Sequence, residues 1–345
     1  MKDKKTPLAL AVIAILAVLV FVFRSKIHFD FALFVRQLGL IDYRHIAAGC
    51  GLIWATYLCR SWRWSILLKK IRKVSPLSLT GSQFIGFTAV AIFGRLADLS
   101  RPYIVAKRTR TQIAPQIAIY TLERMFDLGA AAMVFSTALL FLPRDMPNRG
   151  IFLRVGAFSL AATLAIAIFA IAIRLAGPAL AALARAILGK LSDGLGEAVA
   201  HKILGFREGM MAIPSLSSLV VTVLISLLMW TMIAGAYLQT AHAFVQTPEL
   251  ATLSFASIML LMAASLGGSL LQLPIIGWFT QIAATAAAMQ AIYKAPIEAA
   301  TACGALLLIV TSLSIILPGL VFARIEHVSI GKVAEESEHV AEASA

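Results

Sequence analysis

Long apolar runs alternate with short, mostly basic connections along this chain, and the runs predict its elements. Residues 8–23, 46–68, 118–142, 155–173, 216–241 and 299–323 each come close to or exceed the roughly 20 apolar residues that a helix needs to cross a bilayer. Two further stretches do not fit that length. Residues 81–93 are too short and run straight into Arg95, Asp98, Arg101, Lys107, Arg108 and Arg110, while 253–293 is too long for one crossing and is interrupted by Gly267, Gly268, Pro274 and Gly277. Glycine weakens a helix and proline removes a backbone donor, so the second stretch reads as a broken hairpin, while the short length and basic flanks of the first make it a re-entrant one. The expected fold class is an all-α polytopic membrane protein with about six full crossings and two re-entrant or broken helical hairpins. One hairpin falls in each half of the chain, a placement compatible with an inverted repeat, although no repeated sequence accompanies it. Residues 1–326 form a single integral membrane domain. Residues 327–345, with Glu335, Glu336, Glu338 and Glu342, are expected to be a polar, disordered tail.

The basic residues test this topology, because they accumulate on the cytoplasmic side of membrane proteins. If both hairpins enter and leave on one side, 21 of the 30 Lys and Arg residues share a face with the N-terminus and the tail. A full crossing by 81–99 would instead split the clusters at 69–73 and 107–110 between opposite faces. Both termini are therefore expected in the cytoplasm, with the chain in a bacterial-type inner membrane. Residues 27–44 alternate charges with Phe29, Phe31, Phe34 and Val35, the pattern of a helix lying in the interface.

Composition narrows the function classes. With 60% hydrophobic and 14% charged residues, the chain lies far from the roughly 25% charged content of soluble domains. Its net charge of +13 sits in the connections, which points to lipid headgroups and away from nucleic acid. Cys50, Cys59 and Cys303 all fall in apolar runs without metal spacing, so neither a disulfide nor a metal nor any other cofactor is expected. Nucleotide-binding, hydrolase and metalloprotease motifs are absent, and an enzyme is not expected.

The candidate site lies where ionisable groups meet apolar sequence. Glu123, Arg124 and Asp127 sit about two turns into a crossing, where each charge costs about 2.5–3.5 kcal/mol on insertion scales. Arg124 is three residues from Asp127, so the expectation is a buried, mutually paired group between helices. Arg95, Asp98 and Arg101 follow the first hairpin at i, i+3 and i+6, close to one face if the segment is helical. There the arginines could hold a phosphate while Asp98 orients one of them. Gln272 and Gln281 are the polar side chains expected to line a cavity at the second hairpin. Arg60, Trp62, Arg63 and Trp64 read as interface anchors.

Several blocks together carry a resemblance. Arg60-Ser61-Trp62-Arg63-Trp64, Gly86-Phe87-Thr88, Gly94-Arg95-Leu96-Ala97-Asp98, Arg101-Pro102 and Glu123-Arg124-Met125-Phe126-Asp127 are followed by Leu266-Gly267-Gly268 and Leu273-Pro274-Ile275-Ile276-Gly277. In this order they resemble the flippase-like family of the lysylphosphatidylglycerol synthase transmembrane region. The resemblance implies a lipid transporter or flippase that moves an anionic phospholipid or related headgroup between leaflets, with membrane lipids as partners. The alternative is a non-transporting membrane partner of a lipid-modifying enzyme such as a glycosyltransferase. Whether a second copy of the chain or such an enzyme is its protein partner stays open.

Overall fold

The computed structural model describes residues 29–144, 146–190, 192–211, 213–269 and 276–344, all of them helical or in connecting turns. The first apolar run and the tip of the second hairpin, with Gln272 and Pro274, lie outside the described residues. A short helix, α1 (Phe31–Gly39), is capped by the Asp30 carboxylate, which accepts from the Leu33 amide, and its Phe34 and Leu38 pack on the core. Four long helices then carry the body: α2 (Tyr43–Leu67), α5 (Ile113–Leu139), α6 (Arg149–Leu188) and α8 (Leu216–His242). A fifth, α11 (Ile297–Ile325), is interrupted by a π turn at Ile309–Leu313.

By length and hydropathy, α6, α8 and α11 qualify as spans, as does Pro76–Phe93. Helices α2 and α5 fall short of that hydropathy although they have 25 and 27 residues. Their length exceeds what a hydrocarbon core of about 30 Å requires. What lowers their hydropathy is the set of charges that they bury against each other, described below. Helix α6 is the most peripheral, with only 11% of its most apolar window buried, and it bends at Ala176, two residues before Pro178. Beyond the bend it packs against α7 (Asp193–Met211), and Arg174 donates to the carbonyls of Met210 and Ile213.

The first hairpin joins α3 (Pro76–Phe93) to α4 (Ser100–Thr109) through a 3-10 turn at Gly94–Ala97. Gly94 stops α3 at φ 65°, ψ −143°, a conformation that glycine adopts at least cost. The chain then doubles back, since Ser100 Oγ donates to the Gly86 carbonyl at 3.0 Å. At the open end Arg72, just before α3, donates to the carbonyl of Thr109, the last residue of α4. Both ends of the hairpin therefore lie at one end of the bundle, and α4, with 10 residues or about 15 Å, is too short to span.

The second hairpin pairs α9 (Phe255–Ser269) with α10 (Ile276–Tyr293). Two helices stand here instead of one unbroken crossing. Thr280 Oγ1 donates to the Gly268 carbonyl at 2.7 Å near the tip, and Tyr293 OH to the Ser257 carbonyl at 2.8 Å near the open end.

Helices α2 and α8 run antiparallel. Asp42, at the start of α2, bonds Ala243, just after α8, and Arg63 near the end of α2 meets Ser226 early in α8. The first hairpin follows the end of α2 and the second follows the end of α8, so the hairpins open at opposite ends. Long helix, hairpin, long helix thus occurs twice with opposite orientation, the arrangement of an inverted repeat.

The expected disordered tail is instead a helix, α12 (Ile330–Ser344). Glutamates dominate its composition, but Ile330, Val333, Ala334 and Ser337 recur at i, i+3, i+4 and i+7 and form an inward stripe. Val333 packs with Ile85, Ile104 and Ala323, and Ala334 with Ala89 and Ala97, so α12 lies over the first hairpin.

Candidate functional site

Helices α2, α4 and α5 bring five ionisable side chains together inside the bundle. Glu123 and Asp127 share one face of α5 at i and i+4, and Arg60 and Arg63 share the facing side of α2 at i and i+3. Arg63 bridges both carboxylates, with Nη2 2.6 Å from Glu123 Oε1 and Nη1 2.7 Å from Asp127 Oδ1. Arg60 Nη1 is 3.0 Å from Asp127 Oδ2 and 3.3 Å from Glu123 Oε1. From α4, Arg101 Nη1 reaches Glu123 Oε2 at 2.6 Å. All five residues are buried, Arg63 and Glu123 completely.

The cluster holds three guanidinium groups against two carboxylates, so it carries one positive charge in excess. Some of that charge is met by aromatic faces: the Arg101 guanidinium lies 4.2 Å from the Phe87 ring centroid and 5.0 Å from that of Tyr120. Hydrogen-bonding capacity is also left over. Arg101 Nη2 and Arg63 Nε are buried with no partner, and neighbouring Trp64 Nε1 and both amide atoms of Gln83 are in the same state. Gln83 shares the face of α3 that presents Leu79, packed beside Trp64, and Gly86, packed on Arg101.

The sequence expectations are met in part. Glu123 and Asp127 are buried between helices as expected, but Arg124 is not their partner. It sits 100° around α5, about two-fifths exposed, where it donates to Tyr120 OH at 2.8 Å and faces Asp98 at 3.6 Å. Arg60 and Arg63, expected to anchor at the interface, take its place. Arg95, Asp98 and Arg101 do not share a helix face, because Arg95 lies in the 3-10 turn and α4 begins only at Ser100. Arg101 turns inward to Glu123 while Asp98 stays at the surface. The Arg95 side chain and Gln272 lie outside the described residues. Gln281 is buried and donates to Ser265 Oγ at 2.9 Å, and Ser265 also accepts from Tyr237 OH. The signal for Arg60 and Arg63 was present in the sequence: two arginines one turn apart in one apolar run match two carboxylates one turn apart in another.

Among the described residues, an all-helical bundle with lipid-length helices, opposed hairpins and a buried ionic centre defines a polytopic integral membrane protein. The chain belongs to the lysylphosphatidylglycerol synthase transmembrane-region family, whose model matches residues 8–321, nearly its whole length. No curated protein and no solved structure matches it. Among the described residues no group of His, Cys, Asp and Glu is arranged to hold a metal ion.

Proposed function

We infer that this protein moves an anionic phospholipid, or a lipid with a related headgroup, between the leaflets of a bacterial-type inner membrane, without altering it chemically. The observation that carries this reading is the excess guanidinium charge of the buried cluster together with the open donor on Arg101. A buried, uncompensated cation is costly, by several kcal/mol, and a phosphate oxygen at Arg101 Nη2 would supply both the missing charge and the missing acceptor. Family membership supports a lipid-handling role. Opposed hairpins support alternating exposure of a central site to two sides. We place both termini in the cytoplasm on the charge pattern, since Lys69, Lys70, Arg72 and Lys73 after α2 and Lys107, Arg108 and Arg110 at the end of α4 gather where the first hairpin opens.

The test is translocation in proteoliposomes containing only this protein, with a headgroup-accessible probe on phosphatidylglycerol and on phosphatidylcholine. Faster exchange of phosphatidylglycerol than in protein-free vesicles is the expected result. No exchange of any lipid would favour a membrane scaffold for a lipid-modifying enzyme.

A further inference from the structure

A second charged site lies outside the buried cluster, where α12 covers the first hairpin. A cavity of about 680 Å³ opens between α4 and the start of α12, a volume typical of small-ligand sites. One wall is fixed. Arg108 pairs with Glu326, and the Glu326 carboxylate rests directly over Gly81 of α3, so these two charges are spent on each other. Lys107 on α4 and Lys332 on α12 line the same cavity, and among the described residues neither ammonium makes a hydrogen bond or ion pair. Tyr103 adds an unpartnered hydroxyl, and Glu336 is the one acidic group left against the two lysines.

We propose that this cavity binds a phosphate-bearing anion, held between Lys107 and Lys332 with the Tyr103 hydroxyl as a further donor. An anion with several oxygens can accept from ammoniums on two separate helices at once. The group could come from a phospholipid headgroup at the membrane surface or from a free phosphate ester in solution, which present the same chemistry. Binding would tie α12 to α4, the helix whose first turn carries Arg101, and so join the tail to the buried cluster. The site is independent of lipid transport and stands or falls on its own measurement.

The experiment is lysine acylation read by mass spectrometry on the full chain in nanodiscs. Discs of phosphatidylcholine alone, the same discs with pyrophosphate, and discs containing phosphatidylglycerol are compared, with Lys69 and Lys73 as exposed references. At about ten times the Kd, labelling of Lys107 and Lys332 should fall about tenfold while the references stay constant. Protection by pyrophosphate identifies a free ester as a sufficient ligand, and protection only by phosphatidylglycerol identifies a headgroup. Lys332→Gln, at an exposed position, should abolish protection of Lys107. Unchanged labelling in every arm, or an equal fall at Lys69 and Lys73, would overturn the proposal.

Discussion

At the scale of residues, the cluster separates charges that matter for folding from charges that do not. Arg63 touches both carboxylates and Ser226 and is fully buried, so Arg63→Ala leaves two carboxylates short of their main partner. Removing one member of a buried pair typically costs about 3–5 kcal/mol, and the variant should lose most of its folded yield in mild detergent. Arg124→Ala should behave differently. Its contact with Asp98 is 3.6 Å long and well exposed, and exposed pairs contribute about 0–1 kcal/mol, so thermal unfolding should stay near that of the unsubstituted protein. An Arg124 variant as unstable as the Arg63 variant would contradict the observed partnering. The carboxylate half of this site was legible, since spacing i, i+4 puts Glu123 and Asp127 on one face of any helix. The arginine half was signalled by the spacing of Arg60 and Arg63 but passed over, because sequence proximity favoured Arg124 while two of the three actual partners come from a helix 60 and more residues away.

At the scale of elements, the tight packing of the first hairpin is the feature most open to test. A Cβ added at Gly86 would fall on the Arg101 side chain and within 3.2 Å of its Cα. Alanine is favoured over glycine in a helix by about 1 kcal/mol, yet Gly86→Ala should slow transport and lower stability, because Arg101 must move off Glu123. A more stable and fully active variant would show that α4 has room to give. The hairpin's topology has its own test. In a background without the three native cysteines, Ser75→Cys and Arg110→Cys should both resist a membrane-impermeant thiol reagent applied outside intact cells, whereas Lys294→Cys should react. Thr109, which also marks the end of the hairpin, is buried and unsuitable as a probe. Breaker residues made the second hairpin legible from sequence, and a short apolar run with basic flanks on both sides made the first. The tail was misread because its composition is acidic overall, whereas what orders it is an inward stripe of Ile330, Val333 and Ala334 with the small Ser337, which only matters once the first hairpin offers a surface to cover.

At the scale of the whole molecule, the two halves differ in what they bury, and that difference leads to the test of function. The centre of the first half is ionic, with Arg60, Arg63, Arg101, Glu123 and Asp127, whereas among the described residues the second hairpin and α8 share the neutral chain Tyr237, Ser265 and Gln281. If a headgroup phosphate is engaged during transport, the excess guanidinium in the first half is the group to meet it. Arg101 is the member with a free Nη2 and only one carboxylate contact, so it can exchange partners with less disruption than Arg63. Arg101→Lys retains the charge and can keep the ion pair to Glu123, but it loses the planar fork that would let one residue hold Glu123 and a phosphate together. The expected outcome is a folded protein, with unfolding close to that of the unsubstituted chain, whose rate of phosphatidylglycerol exchange in proteoliposomes falls about tenfold, or about 1.4 kcal/mol in barrier. Arg101→Gln should fall further, because it removes the charge as well. If the lysine variant exchanges lipid at the unsubstituted rate, Arg101 serves only to anchor α4 against α5, and the headgroup must be recognised elsewhere.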